Sequence, residues 1–203
     1  MEKRTLPYWN HNAAYYPWIA QQVGNRSRVL DVGCGDGSLA RYLAAPGRKV
    51  TGLDPDAGCI LRARQASEGT AGLRFVLTDF EMFEAAPGSF DAVLFVASLH
   101  HMDAAAAVEK AAALLSPGGV LLIVGLAAPS TLPDRLLDAA RVVPSFVSSR
   151  LHRMQSSESL QIPTSYRLPP MAEVRTLAAR LPGAVLRYGL HWRYLLKWEK
   201  REG

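Results

Sequence analysis

Residues 28–39 read Arg28-Val29-Leu30-Asp31-Val32-Gly33-Cys34-Gly35-Asp36-Gly37-Ser38-Leu39, and this stretch decides the fold. Its apolar residues before the glycines predict a buried strand, and a helix is expected to begin near Ser38. The three glycines let the backbone turn tightly and approach a ligand without a β-carbon in the way. Because a helix points its free N–H groups back at such a turn, the stretch predicts a site for a nucleotide-like cofactor.

The bulk composition predicts one ordinary globular domain over residues 1–203. The chain is 49% hydrophobic and 20% charged, as in soluble proteins. Its apolar runs are too short to span a membrane, and its first residues do not resemble a signal peptide. Two cysteines, Cys34 and Cys59, lack metal-ligand spacing and favour no disulfide. We therefore expect a cytoplasmic protein, without metal and without a membrane span.

Positive charge is concentrated in the last third of the chain. Residues 127–203 hold 12 Lys and Arg against 6 Asp and Glu, whereas residues 1–126 hold 11 against 12. A basic region can face an anionic substrate, nucleic acid or a membrane surface, or it can simply be a solvated surface. No run of consecutive basic residues favours nucleic acid.

Strands and helices are predicted to alternate as far as residue 126. Most of the apolar runs lack a two-residue alternation and precede a helix, which indicates a parallel sheet covered on both faces. The predicted strands are Val29–Val32, Lys49–Leu53, Arg74–Leu77, Ala92–Val96 and Val120–Leu126, and the predicted helices are Ser38–Ala44, Ala57–Glu68 and Ala104–Leu115.

The last third of the chain breaks this rhythm. Residues 127–170 are irregular, and a helix is predicted over Met171–Arg180. Strands follow at Ala184–Tyr188 and His191–Lys197. Only two residues separate them, which is too few for a helical crossover, so these two strands are predicted to pair antiparallel.

The N-terminal segment is unusually aromatic. Asn10 or Asn12 can cap a helix that continues to about Val23, with a kink expected at Pro17. Its rings cannot all lie on one face. Residues 1–24 are therefore either a helix packed across an edge of the sheet or a lid that closes the cofactor pocket.

Three carboxylates help to identify the cofactor. Ser38 stands where a dinucleotide fingerprint requires its third glycine, and Asp31 would be ill placed against a pyrophosphate. Asp54 lies twenty-one residues beyond Gly33, where a carboxylate accepts both hydroxyls of a ribose. Asp79 could accept from an adenine amino group, with Phe80 bordering the ring.

Five motifs in this order resemble the class I S-adenosylmethionine-dependent methyltransferases over residues 28–126. They are Asp-Val-Gly-Cys-Gly-Asp-Gly, Gly-Leu-Asp-Pro, Thr-Asp-Phe, Phe-Asp-Ala-Val-Leu-Phe-Val-Ala-Ser-Leu-His-His-Met and Leu-Ser-Pro-Gly-Gly. The closing His191-Trp-Arg-Tyr-Leu-Leu-Lys-Trp resembles the last strand of small bacterial members. The resemblance implies a Rossmann-like α/β fold with seven strands, mostly parallel, of which the final one is antiparallel.

The same resemblance implies roles for individual residues. Asp31 would help to hold the ammonium group of the methionine, and Asp54 would take the ribose hydroxyls. The remaining contacts with S-adenosylmethionine, and with its product S-adenosylhomocysteine, would come from Gly33, Cys34, Gly35, Pro55, Asp79, the backbone of Phe80 and the carbonyl near Val96.

Methyl transfer from a sulfonium is an in-line displacement that mainly requires alignment and exclusion of water. A base is needed only where the acceptor must lose a proton, and His100 or His101 is the candidate. Adjacent side chains are expected to point in different directions, which places one imidazole in the pocket. Both can instead be structural. Tyr16 is a further candidate catalytic group.

The acceptor site is predicted from the least regular parts of the chain. His11 and Tyr15 would contact the acceptor if the N-terminal helix closes the pocket. Residues 127–170 would cap it, with Arg141, Arg150, His152 and Arg153 available to an anionic acceptor.

We expect a methyltransferase acting on oxygen or carbon of a small molecule, as a monomer or weak homodimer. The rivals are a nicotinamide-dependent oxidoreductase, a catalytically silent cofactor-binding module, and an RNA or protein methyltransferase. Against the last, no Asn/Asp-Pro-Pro-Tyr/Phe signature follows the fourth strand.

Overall fold

The computed structural model describes residues 10–137, 139 and 168–201. Within these ranges it confirms a seven-stranded, mostly parallel α/β sheet. Arg141, Arg150, His152 and Arg153, and with them most of the expected cap over residues 127–170, lie outside the described residues.

The chain forms its elements in the predicted alternation. The strands are β1 (Arg28–Val32), β2 (Lys49–Asp54), β3 (Leu73–Leu77), β4 (Phe90–Val96), β5 (Leu115–Leu126), β6 (Val185–Tyr188) and β7 (Arg193–Glu199). The helices are α1 (Tyr16–Val23), α2 (Ser38–Leu43), α3 (Ala57–Ala66), α4 (Ala104–Leu114) and α5 (Met171–Ala179), with 3₁₀ turns at Ala13–Tyr15 and Leu99–His101.

The strand order is β3-β2-β1-β4-β5-β7-β6. Strands β1 to β5 pair parallel, and β7 pairs antiparallel with both β5 and β6. The antiparallel pairing predicted from the short β6–β7 connection is therefore confirmed. Since β1 and β4 are neighbours but not consecutive, the connections diverge between them, and a crevice forms at their carboxyl ends.

The core lies on both faces of the sheet, as the uninterrupted apolar runs predict. Val93, Leu94, Phe95, Leu121 and Ile123 at its centre are fully inaccessible to solvent. Helices α4 and α5 cover one face, and α1, α2 and α3 cover the other. Burial of such side chains contributes about 1.5–3 kcal/mol each, so the central strands form a firm base for the crevice.

Two local predictions were wrong. Pro17 does not kink the N-terminal helix but lies in its first turn, where the missing N–H costs no hydrogen bond. Strand β5 begins at Leu115 rather than Val120, because Leu115 pairs with Phe90 across a register shift. The Ser-Pro-Gly-Gly turn therefore belongs to the strand that was expected to follow it.

Helix α1 packs on a sheet face. Ile19 and Val23 are completely buried in the cluster that includes Val29, Leu122 and Val124. The residues before the helix lie at the carboxyl end of the sheet, beside the β6–β7 turn. The N-terminal segment thus joins the core to the crevice.

Candidate functional site

The glycine turn after β1 is held in place by the end of β2. The backbone N–H groups of Gly33 and Cys34 both donate to the carbonyl of Leu53, at 2.8 Å each. Gly33 has a φ of +74°, and a Cβ at this position would lie 2.4 Å from the Cβ of Ser98. Ser98 in turn donates to the carbonyl of Val32 at 2.5 Å. Only glycine fits this close approach between the turn and the residues after β4.

Gly35 leaves open space at the top of the turn. Its φ is +55°, and apart from its two chain neighbours no described residue has an atom within 4 Å of the point where a Cβ would stand. A ligand can therefore lie against the backbone here. The turn of residues 33–37, called the glycine cradle, thus has the open backbone surface that the predicted site for a nucleotide-like cofactor requires.

Asp31 is a buried carboxylate beside this cradle. Its exposure is 1%, and its Oδ2 has no hydrogen-bond partner among the described residues. Burial, with the neighbouring charges of Asp54 and Asp36, raises the pKa of Asp31 to about 7. A carboxylate left without a partner in the interior is costly. A cationic group on a ligand, such as an ammonium, would supply the missing partner.

Asp54 is oriented by two backbone groups at the end of β2. Its Oδ2 accepts from the N–H of Gly35 and its Oδ1 accepts from the N–H of Asp56, each at 2.9 Å. The carboxylate thus lies against the glycine turn, with lone pairs left for ligand hydroxyls. Pro55, which follows it, is exposed. These positions agree with a ribose site, which remains a prediction.

Asp79 and Phe80 follow β3. Asp79 is exposed, and its Oδ1 accepts from the N–H of Met82 at 2.8 Å, which closes a turn. The ring of Phe80 is 5% exposed and packs edge-on against Phe95 with centroids 5.5 Å apart. The expectation that this ring borders the adenine was therefore wrong, because the ring belongs to the core under α4. The role of the Phe80 backbone toward the adenine stays a prediction.

Cys34 and Val96 differ in what they can offer. The thiol of Cys34 is buried against Gly52, and burial raises its pKa far above the usual range, so only its backbone can meet a ligand. Val96 ends β4, and Ala97 after it has a φ of +54°. This strained residue changes the direction of the chain at the crevice. The carbonyl of Val96 was expected to contact S-adenosylmethionine there, which stays a prediction.

His100 and His101 lie together in the 3₁₀ turn after β4. Their ring centroids are 4.0 Å apart, so the expectation that the two side chains point in different directions was wrong. Burial and the charges of His101 and Arg193 lower the pKa of His100 to about 4. Burial also lowers the pKa of His101, against an opposing effect of Asp54. Both imidazoles are therefore neutral at pH 7 and able to accept a proton.

The N-terminal candidates separate into core and site. Tyr16 is 6% exposed and packs against Tyr42 with centroids 5.6 Å apart, so the structure moves it from the catalytic set to the core of the α1–α2 face. The hydroxyl of Tyr15 donates to the carbonyl of Leu190 at 2.6 Å. His11 stacks on His191, with centroids 4.3 Å apart and an interplanar angle of 12°. Tyr15 and His11 thus fix the segment to the β6–β7 turn.

The sequence analysis did not predict the contact between Arg193 and Asn12. The guanidinium of Arg193 contacts Asn12, which is 181 residues away in the chain. The available signal was an arginine at the start of the last strand, directly before Tyr194, Leu195 and Leu196. Its partner is unpredictable from spacing, because only the sheet order brings β7 beside the N-terminal segment.

The described residues hold neither a cluster for a metal ion nor a membrane-spanning helix. No group of three His, Cys, Asp or Glu residues there is arranged to hold a metal ion. Among the same residues, no helix has the length and apolar character needed to cross a bilayer.

Known proteins similar to this chain are methyltransferases. The family model for a methyltransferase domain matches residues 30–123. An uncharacterized methyltransferase of Mycobacterium tuberculosis is 34% identical over 194 residues, covering 94% of this chain and 96% of that protein. The ubiquinone biosynthesis O-methyltransferase of Sodalis glossinidius is 45% identical over 124 residues, covering 59% of this chain and 50% of that protein.

Solved structures show the same fold. YcgJ from Bacillus subtilis aligns with a TM-score of 0.66 at 19% identity, covering 94% of this chain and 99% of that one. The magnesium protoporphyrin IX methyltransferase from Synechocystis, solved with bound S-adenosylmethionine, aligns with a TM-score of 0.60 at 20% identity. It covers 93% of this chain and 77% of that one.

Proposed function

The chain belongs to the class I S-adenosylmethionine-dependent methyltransferases, and from this premise we propose that it methylates oxygen or carbon of a small molecule. The observation that carries the assignment of the site is Asp31, a buried carboxylate with one oxygen unpartnered among the described residues, beside an open glycine cradle. The small acceptor is supported by the relative from Sodalis glossinidius, whose name places it in ubiquinone biosynthesis.

The residues present fit the cofactor along the edge of β1 and β2. Asp31 would meet the ammonium group, the Gly35 backbone would lie along the ligand, and Asp54 would accept from the ribose hydroxyls. When bound, S-adenosylmethionine supplies an activated methyl group on a cationic sulfur. The protein itself then needs to align the acceptor and keep water away.

His101 is the proposed general base for an acceptor that must lose a proton. It is neutral at pH 7 because burial lowers its pKa. The lower pKa of His100, about 4, makes that imidazole a weaker proton acceptor. A base of this kind contributes about 10²- to 10⁴-fold to a rate.

Replacement of His101 by glutamine is expected to lower kcat by about 100-fold on an acceptor that loses a proton. The wild-type rate should fall toward acid pH with a midpoint below that of an ordinary imidazole, since burial lowers the pKa of His101. Measurement of kcat against pH for both proteins checks this. A variant with the wild-type rate would remove His101 as the base.

Replacement of Asp54 by alanine is expected to weaken S-adenosylhomocysteine binding by about 10- to 100-fold, the value of hydrogen bonds to a charged acceptor. Isothermal titration measures the change. The affinity of Asp54→Asn for S-adenosylhomocysteine should fall between those of wild type and Asp54→Ala, because the amide oxygen keeps one acceptor for the backbone or the ribose. Unchanged affinity in Asp54→Ala would exclude the ribose role.

The function is tested with radiolabelled methyl S-adenosylmethionine. The purified chain is incubated with phenols, catechols and β-diketones, and in parallel with total RNA and with a protein extract. Label in a small-molecule product supports the proposal. Label that precipitates with RNA or protein would favour the macromolecular alternative, and cofactor binding without any transfer would favour a silent module.

A further inference from the structure

Arg193 is a partly buried cation at the carboxyl edge of the sheet. It begins β7 and pairs with Leu126 at the carboxyl end of β5. Its Nε and Nη2 donate to Asn12 Oδ1 at 3.2 and 2.7 Å, and its Nη1 donates to the carbonyl of His191 at 3.2 Å. All these acceptors are neutral. The guanidinium is therefore oriented without being neutralised.

No carboxylate pairs with Arg193 among the residues that the structure describes. Burial lowers its pKa to about 10, as expected for a cation without a counter-ion. Burial, with a smaller effect of the Arg193 charge, lowers the pKa values of His11 and His100, so these neighbours are neutral too. Asp134, which lines the adjacent cavity, is already ion-paired with Arg175 and accepts a hydrogen bond from Tyr188.

Two of the five guanidinium N–H donors have no partner among the described residues, one on each terminal nitrogen. A planar guanidinium with parallel donors matches the two oxygens of a carboxylate or a phosphate. The fork is fixed in advance by Asn12, which lowers the entropy lost when an anion binds.

The position of Arg193 separates it from the cofactor site. Strands β4 and β5 lie between β1 and β7, so three strand spacings of about 4.8 Å separate Arg193 from Asp31 by roughly 14 Å across the strands. Arg193 also lies further toward the carboxyl edge of the sheet, because the β7 residue in register with Asp31 is Lys197. The carboxyl edge of the parallel strands therefore carries acidic groups on β1 and β2, namely Asp31 and Asp54, and a cation on β7. His100 and His101, after β4, lie between these ends.

We propose that Arg193 anchors an anionic group of the methyl acceptor, a carboxylate or a phosphate monoester. The group is a handle, and a different atom of the acceptor, nearer to β4, receives the methyl group. This substrate class rests on the proposed function. It also gives a role to Asn12, which positions the guanidinium.

The test uses the full chain saturated with S-adenosylhomocysteine. It is titrated calorimetrically at millimolar concentrations with benzoate, phenyl phosphate and benzamide, which share a ring and differ in charge. We expect at least one anion to bind about tenfold more tightly than benzamide, and the better anion identifies carboxylate or phosphate as the handle. Equal behaviour of all three in protein that binds S-adenosylhomocysteine would overturn the proposal.

Variants assign the effect to Arg193. Arg193→Met should lose the preference for an anion while its affinity for S-adenosylhomocysteine stays within about threefold. The matched control is Arg187→Met, at an exposed position of β6, which should keep the preference. Arg193→Lys keeps the charge without the fork and should retain part of the preference, which provides a second variant if Arg193→Met does not fold.

Two outcomes would contradict the assignment in distinguishable ways. If Arg193→Met bound S-adenosylhomocysteine about tenfold more weakly and wild type showed no anion preference, Arg193 would hold the cofactor carboxylate instead. If wild type failed to bind S-adenosylhomocysteine at all, the proposed function itself would fail.

Discussion

Replacing Asp31 by asparagine is expected to weaken S-adenosylhomocysteine binding by about 100-fold, because the ammonium group of the ligand loses its carboxylate partner. The same change should stabilise the protein without cofactor at pH 8. Asp31 is buried with one oxygen unpartnered, and an amide removes the charge while keeping the shape. Function and stability thus have opposite requirements at this position, as is common for active sites.

The pH dependence of the stability follows from the sign of the pKa shift. The folded pKa of Asp31 is raised to about 7, against about 3.9 in the unfolded chain. Its contribution to stability is therefore complete below about pH 4 and is lost as the pH rises to 7. The Asp31→Asn variant should gain about 2–4 kcal/mol over wild type between pH 4 and pH 8, most of it below pH 7.

Thermal unfolding of both proteins at pH 5, 6, 7 and 8, without ligand, measures this difference. Asp103→Asn is the matched control, since Asp103 caps α4 from an exposed position and asparagine caps equally well. A constant difference in melting temperature between the two proteins across this range would show that Asp31 does not titrate there. Unchanged affinity for S-adenosylhomocysteine would remove it from the cofactor site.

Gly33→Ala is expected to lower the free energy of unfolding by about 2–5 kcal/mol, from a left-handed backbone and from overpacking. The new Cβ would stand 2.4 Å from the Cβ of Ser98, whose hydroxyl already bonds the Val32 carbonyl. Urea denaturation measures the loss. The turn and the end of β4 cannot both keep their positions.

Gly35→Ala separates the two causes. Its φ is also positive, at +55°, but beyond the two chain neighbours no atom of the described chain lies within 4 Å of the new Cβ. It should cost only the backbone strain, about 1–2 kcal/mol, while weakening S-adenosylhomocysteine binding because the methyl group enters the cradle. Equal destabilisation by the two substitutions would show that contact with Ser98 contributes nothing.

Much of this protein is predictable from short stretches of sequence. The apolar runs and the glycine turn determine β1, β2, β4 and the crevice beside them, because each signal arises within about ten residues. Asp31 and Asp54 follow from their distance to Gly33 along the chain. The cofactor predicted from these residues is confirmed by the family to which the chain belongs.

Errors arose where a side chain's neighbours come from another element. Phe80 and Tyr16 looked available to a ligand, yet each is buried against a ring of a different element, Phe95 or Tyr42. The paired rings of His100 and His101 depend on a 3₁₀ turn that residue spacing does not specify.

The sequence by itself determined the parallel sheet, the antiparallel pairing of β6 with β7, the cradle and the carboxylates that face it. The tertiary structure alone decided the proposed acceptor anchor, where Asn12 meets Arg193 across 181 residues. Local periodicity specifies which residues are buried, because it reflects one element at a time. Which elements become neighbours is set by packing of the whole sheet, and that packing leaves Arg193 as a cation without a carboxylate partner in the described chain.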